Sequence, residues 1–182
     1  MTDKQQWILV GAVVGVLGAG VAFGSRFVQF EIPAVAVGNP APNFQANTVG
    51  ADPVLKGLED YAGELVLLNV WATWCWPCQE EMPSIQRLHE EYKDRGLRVV
   101  AVSVDDPSQK DEILAFAKDF GMTFEILHDE AGNIMQDYQL LGLPESFLID
   151  ADGTIRDKSF VTDWFSDEKR KIVEQFLPSP DS

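Results

Sequence analysis

The chain has 182 residues, of which 46% are hydrophobic, and its formal net charge is −15. A chain of this length has room for one ordinary domain and an appendage. Nucleic-acid binding needs basic patches, so this acidic balance excludes nucleic acid as an expected partner. We interpret the charge as a solvated acidic surface, with an acidic docking face as the alternative.

Residues 5–25 contain no charged side chain, and residues 7–24 are almost entirely apolar. At about 1.5 Å per residue, such a helix nearly spans a bilayer core of ~30 Å. The stretch is longer than the apolar region of a signal peptide. We therefore predict an uncleaved membrane anchor within residues 1–25, with a cleaved signal peptide as the alternative.

The rest of the chain is predicted to form a linker over residues 26–37, one domain over residues 38–177 and a tail over residues 178–182. Apolar runs and turn residues predict a hairpin over residues 44–55, a helical turn over 58–61, and strands over 65–71, 97–104, 124–127, 146–150 and 154–160. Helices are predicted after Cys75, Ser108, Ala131 and Ser166, and Ser108 is predicted to form a capping box with Asp111. The alternation of strands and helices predicts an α/β sandwich with an antiparallel edge pair.

Cys75 and Cys78 are the only cysteines of the chain, and they lie where a buried strand ends and a helix begins. The first turn of a helix has unpaired N–H groups and the positive end of the dipole, which favour a thiolate. Residues three apart lie on one helix face, so the two sulfurs can bond to each other. Pro77 fits the first turn, where its missing N–H costs nothing.

Three other interpretations of the cysteine pair compete with a redox dithiol. Two inert buried cysteines fit poorly with Pro77 and the neighbouring tryptophans. A zinc site needs about four ligands, and the two histidines, His89 and His128, are distant and are expected on the surface. A static disulfide that closes so short a loop stabilises a fold little.

Three segments together resemble one family. The segment over residues 67–83, LLNVWATWCWPCQEEMP, resembles the active-site segment of thioredoxin-fold proteins, in particular the membrane-anchored TlpA/ResA/CcmG group. The segment over residues 142–155, GLPESFLIDADGTI, resembles the second motif of that group, and GNPAPNF over residues 38–44 resembles its domain entry. The resemblance implies a thioredoxin-like fold, a mixed sheet with flanking helices and an N-terminal hairpin extension, behind one transmembrane helix.

The resemblance also implies roles for individual residues. Cys75 is the attacking thiol, Cys78 is the resolving thiol, and Pro144 is a cis-proline that faces the dithiol. Five residues are candidates for contact with the substrate: Trp74, Trp76, Pro77, Leu143 and Pro144. Trp71 is expected in the core and Trp74 at the rim of the site.

Asn69 stands where classical thioredoxins place a buried aspartate that moves protons for the resolving cysteine, and an amide cannot titrate. Cys78 therefore needs another base. The candidate is Glu145, whose motif position lies beside the dithiol and whose pKa should be raised by burial. Glu80 and Glu81 are interpreted as favourable charges near a helix N-terminus.

The sequence therefore predicts a membrane-tethered thiol–disulfide oxidoreductase that reduces protein disulfides outside the cytoplasm, in the periplasm or its equivalent. A membrane thiol relay would re-reduce it, and no cofactor is expected besides the Cys75–Cys78 disulfide. By resemblance, apocytochrome c during its maturation or copper-site cysteines are the expected substrates, and a monomer is expected. A thiol peroxidase and a metal-delivery module that binds copper(I) through the thiolates are the alternatives.

Overall fold

The computed structural model describes residues 3–24, 34–160 and 163–178. The chain divides into two compact units, Met1–Pro33 and Ala34–Ser182. The first unit contains helix α1 (Asp3–Gly24), where the sequence predicts a helix. No helix among the described residues is long and apolar enough to cross a membrane, so the structure does not support the transmembrane part of that prediction.

The second unit is built on a seven-stranded mixed sheet in the order β2-β1-β5-β4-β3-β6-β7. The strands are β1 (Gln45–Thr48), β2 (Leu55–Gly57), β3 (Leu65–Trp71), β4 (Leu97–Ser103), β5 (Glu125–His128), β6 (Glu145–Ile149) and β7 (Ile155–Ser159). Strands β3, β4 and β5 run parallel, and the other pairs are antiparallel. The mixed sheet, the N-terminal hairpin and the antiparallel edge pair are confirmed.

The helices of this unit are α2 (Trp76–Tyr92), α3 (Lys110–Asp119), α4 (Asn133–Asp137) and α5 (Asp167–Phe176). Short 3₁₀ turns occupy Leu58–Tyr61, Lys93–Arg95 and Pro107–Gln109. Ser166 caps α5 as predicted, because its side chain accepts a hydrogen bond from the amide of Lys169.

The predicted capping box of Ser108 with Asp111 is wrong. Asp106 instead accepts a hydrogen bond from the amide of Ser108, and the side-chain oxygen of Gln109 accepts one from the amide of Asp106. The helical turn begins two residues earlier than predicted, because Pro107 is suited to the first position of such a turn. Helix α3 then follows that 3₁₀ turn directly.

Two apolar cores lie on the two faces of the sheet, and the side-chain alternation of the central strands separates them. On β3, Leu65, Leu67 and Trp71 belong to the core shared with α2, α3 and α5. Val66, Leu68 and Val70 belong to the opposite core, shared with α4 and the segment near Phe44. Because β3 is central, all seven of its residues are buried.

Candidate active site

The cysteine pair lies at the junction of β3 and α2, as the sequence predicts. Cys75 and Cys78 form a disulfide, and Cys75 is the N-cap residue of α2. The amide of Cys78 donates to Cys75 Sγ at 3.3 Å. In the reduced protein the same amide and the helix dipole favour a thiolate at Cys75. Pro77 lies in the first turn of α2, as expected.

The two sulfurs differ in their access to solvent. Cys75 is only 5% exposed, but it lines a surface groove of about 610 Å³, whereas Cys78 is completely buried. The other residues that line the groove are Trp74, Trp76, Pro77, Val104, Gly132, Met135, Gly142 and Leu143. A substrate in the groove therefore meets Cys75 first, and this geometry suits the predicted roles of the two thiols.

Four of the five predicted substrate-contacting residues line this groove, namely Trp74, Trp76, Pro77 and Leu143. Trp74 and Trp76 are 65% and 68% exposed. Pro144 follows Leu143 through a cis peptide bond, in agreement with the expected cis-proline. The residue preceding the loop, Leu141, is 94% exposed. Two large exposed aromatic side chains, Trp74 and Trp76, thus flank the one sulfur that lines the groove.

The segment that leads from β3 to the cysteines is held by Asp105, a residue that the sequence analysis did not single out. Asp105 is buried, and its carboxylate accepts hydrogen bonds from the amide and the hydroxyl of Thr73. It also accepts from the hydroxyl of Ser103 at 2.7 Å. Asp105 therefore ties the segment before Cys75 to the end of β4.

Glu81 lies one helical turn after Cys78 and is completely buried. Its carboxyl group accepts hydrogen bonds from Asn69 Nδ2 at 3.0 Å and Trp164 Nε1 at 2.9 Å. Ser146 Oγ lies 3.3 Å away, and Asn69 also donates to Ser146 at 2.8 Å. The interpretation of Glu81 as a favourable charge near the helix N-terminus is therefore wrong, because the side chain is buried among uncharged groups.

Burial in this polar but uncharged cluster raises the pKa of Glu81 to about 8, although its hydrogen bonds favour the charged form and oppose the rise. A carboxyl group with a pKa near neutrality can both give and take a proton under ordinary conditions. The donors Asn69, Ser146 and Trp164 fix the orientation of the Glu81 carboxyl group. This group lies near the end of β3 that leads to Cys75. Glu81 is thus a second candidate for the proton-transfer role.

A sequence signal for Glu81 exists. Glu81 lies three residues after Cys78 and four before Ile85, and these spacings place all three residues on one helix face. Both neighbours are completely buried in the core between α2 and the sheet. The face assignment was available from the spacing alone, but the identity of the partners was not, because Asn69 and Trp164 come from distant segments.

Glu145, the base predicted from the sequence, lies on the other face of the sheet. It is 1% exposed, and burial raises its pKa as expected. Its carboxylate lies 3.1 Å from Lys158 Nζ, and neither of its oxygens accepts a well-aligned hydrogen bond from a described residue. Its neighbour Ser146 points to the α2 face instead, where it joins Glu81. Glu145 thus begins β6 directly after the cis-proline, with an ion pair to Lys158.

His128 is buried in β5, and the expectation of a surface histidine is wrong. It is 2% exposed, and its Nε2 lies 2.9 Å from the carbonyl oxygen of Asp105. The reason is the sheet order, because β5 lies between β1 and β4. Within the described ranges, no group of three or more His, Cys, Asp or Glu residues comes together in a way that could hold a metal ion.

Comparison with known proteins gives consistent matches. Residues 37–158 match the AhpC/TSA family. The chain is 37% identical over 162 residues to "Thiol-disulfide oxidoreductase ResA" of Geobacillus kaustophilus, and the match covers 86% of this chain and 88% of the relative. It is 40% identical over 121 residues to "Thioredoxin-like protein YneN" of Bacillus subtilis, which covers 66% and 69% of the two chains.

A crystal structure of a thiol:disulfide interchange protein of the thioredoxin family from Chlorobium tepidum superposes with a TM-score of 0.65. The two proteins are 26% identical, and the match covers 79% of this chain and 99% of the other. The thioredoxin-like fold expected from the three sequence motifs is therefore confirmed.

Proposed function

Because the chain belongs to the AhpC/TSA family and, within it, to the ResA-like thiol–disulfide oxidoreductases, we propose that it reduces disulfides in protein substrates. One observation carries the proposal: a Cys75–Cys78 pair in which one sulfur lines a groove and the other is completely buried. This asymmetry suits a reaction in which only one thiol meets the substrate.

In the reduced protein, the Cys75 thiolate attacks one sulfur of the substrate disulfide. The substrate S–S bond breaks, a Cys75–substrate disulfide forms, and the departing substrate sulfur takes a proton. Cys78 then loses its proton and attacks Cys75 Sγ. The second substrate thiol leaves, and the Cys75–Cys78 disulfide forms. The substrate gains two electrons and two protons in total, and the dithiol loses the same number.

The buried Cys78 needs a group that accepts its proton, and we assign this role to Glu81. The two side chains lie on the same face of α2, one turn apart, where Cβ atoms are about 5–6 Å from each other. Its pKa, raised to about 8, lies close to that of an ordinary thiol near ~8.5. Proton transfer between groups of similar pKa costs little free energy, so Glu81 suits the step.

The direction of electron flow follows from the charges around Cys75. The amide of Cys78 favours the Cys75 thiolate, but the exposed carboxylate of Glu80, one turn further along α2, opposes it. A less stabilised thiolate makes the couple more reducing. We expect a potential nearer about −270 mV than about −120 mV, measured by equilibrium with glutathione. A value near the second figure would make the protein an oxidant of thiols.

The location and the partners form a separate part of the proposal. The uncharged stretch of residues 5–25 supports tethering to a membrane, and this support comes from the sequence alone. An extracytoplasmic location would bring the domain to proteins whose cysteines oxidise, such as apocytochrome c or copper-site proteins. The chain has two cysteines, both in the active pair, so re-reduction needs an external thiol donor.

The proposal is tested with the full chain and a protein disulfide, with dithiothreitol as electron donor. We expect the wild-type protein to reduce the substrate and Cys75→Ser to be inactive. Cys78→Ala should still attack the substrate but should accumulate a mixed disulfide, because no resolving thiol remains. Full activity of Cys75→Ser would refute the proposal, and the proteins trapped on Cys78→Ala would identify the substrates.

A further inference from the structure

The negative charge of the chain is distributed unevenly. Three stretches, residues 57–86, 99–109 and 119–155, contain no Lys or Arg and together hold 15 of the 29 acidic residues. The remaining residues hold all 14 Lys and Arg residues and the other 14 acidic residues, so their net charge is zero. The net charge of −15 is therefore confined to stretches of the sequence that lack any cation.

Every residue that lines the groove beside Cys75 comes from these three stretches. Trp74 to Pro77 belong to the first, Val104 to the second, and Gly132, Met135, Gly142 and Leu143 to the third. No side chain that lines the groove is charged. The groove is thus lined by uncharged side chains, and the three sequence stretches that supply this lining carry acidic residues but no Lys or Arg.

Exposed carboxylates lie next to the lining residues. Glu80 is exposed and follows Trp76 by four positions on α2, so it lies on the same helix face as that tryptophan. Glu130 is exposed and precedes Gly132 by two positions. These short spacings place both carboxylates next to the groove lining, at its rim, where they can attract or repel charges that a bound polypeptide carries beside its disulfide.

We propose that the groove selects a substrate disulfide in an extended polypeptide segment that carries an apolar or aromatic side chain beside the cysteine and Lys or Arg further out. The apolar part would pack on Trp74 and Trp76, whose rings are 65% and 68% exposed beside Cys75. The cations would face the rim carboxylates, which raise the encounter rate. This inference rests on the proposed function and specifies its substrate class.

The experiment uses the reduced full chain in an uncharged detergent and three disulfides. Two are synthetic peptides of equal length that contain one disulfide and one Phe beside it, with either Lys or Glu at the flanking positions. The third is a small neutral disulfide, 2-hydroxyethyl disulfide. We expect the Lys peptide to be reduced about tenfold faster than the Glu peptide at low ionic strength. This ratio should shrink towards one as salt is added, because exposed charges are screened.

A pair of charge-matched variants locates the effect. Glu80→Lys combined with Glu130→Lys changes the rim, and the ratio of the two peptide rates should fall several-fold at low salt. Glu59→Lys combined with Asp152→Lys makes the same change in net charge beside a different hollow, which Glu59, Tyr61 and Asp152 line. This control variant should keep most of the ratio.

The outcomes separate the inference from the function. Failure to reduce any of the three disulfides would refute the proposed function. Equal rates for both peptides at low salt, or a faster Glu peptide, would refute the inference and leave the function standing. An equal loss of the ratio in both variants would show that the preference depends on net charge alone. It would then refute a specific role for Glu80 and Glu130 beside the groove.

Discussion

Two carboxyl groups are buried at the dithiol end of the sheet, on opposite faces, and their surroundings differ in charge. Glu81 contacts only uncharged donors, Asn69, Ser146 and Trp164. Glu145 is paired with the ammonium group of Lys158. Burial raises the pKa of both. A neutral shell leaves a carboxyl free to change its protonation near neutral pH, whereas a nearby cation favours its charged form and opposes that change.

The adjacent residues of β6 create this difference. Side chains alternate between the two faces of a strand, so Glu145 and Ser146 point in opposite directions. Ser146 pairs in register with Asn69 of β3, and both side chains reach Glu81. A shift of one residue in this register would exchange the two neighbourhoods.

The largest expected effect separates the two groups as proton acceptors for Cys78. Glu81→Gln should slow resolution of the mixed disulfide about 10²-fold or more at neutral pH, because a general base contributes 10²–10⁴-fold. Glu145→Gln should slow it less. The measurement is the release of a labelled thiol from the mixed disulfide after rapid mixing. If Glu145→Gln is the slower variant, the role predicted from the sequence belongs to Glu145 after all.

The pH dependence of stability should identify Glu81 independently of catalysis. Its pKa is higher in the folded protein than in the unfolded chain, so the folded state holds its proton longer. The free energy of unfolding should therefore fall as pH rises from about 4.5 to about 8, by at most ~5 kcal/mol. Above that pH the contribution of Glu81 is constant.

The measurement is urea unfolding of the oxidised protein between pH 4.5 and 8.5, with Glu81→Gln as the matched variant. Subtraction of the two curves cancels the contributions of other groups, including Glu145 and His89. The difference between them should grow with pH. A difference that does not change with pH would show that Glu81 is ionised over this whole range.

Removal of the cation should make Glu145 resemble Glu81. Lys158→Met leaves a buried carboxylate without its counter-charge, so the pKa of Glu145 should rise further. We expect a loss of about 1–3 kcal/mol at pH 7, smaller than for a fully buried pair because the Lys158 side chain is 25% exposed. The loss should diminish at pH 5, where protonation removes the uncompensated charge. Lys158→Arg should preserve most of the stability, and an equal loss in both variants would implicate packing instead.

The smallest expected effect tests the donor from Trp164. Trp164→Phe keeps an aromatic ring in a completely buried position but removes the N–H that donates to Glu81. We expect a stability loss of about 1 kcal/mol. The pKa of Glu81 should rise further, so the pH at which the resolution rate increases should move upward. A pH profile identical to that of the wild type would limit Trp164 to a packing role.

The local elements followed from the sequence because their signals are local. The apolar run of residues 65–71 predicts a fully buried strand, and Gly96 predicts the end of the helical region, where its φ of 100° suits glycine. The dithiol position followed from the strand-to-helix junction and the spacing of the two cysteines. The capping box was predicted at the wrong residues because several polar side chains near Pro107 could cap a helix. Which of them does so depends on the backbone conformation at the start of the helix.

The partners of the buried groups were decided by tertiary structure alone. Spacing places Glu81 on the buried face of α2, but its donors come from β3, β6 and the segment before α5. His128 is buried because β5 lies inside the sheet, an order that no local pattern specifies. The sequence by itself determined the elements and the reactive pair, since both depend on near neighbours. The surroundings that set the protonation of Glu81 and Glu145 depend on strand register, which only the folded sheet establishes.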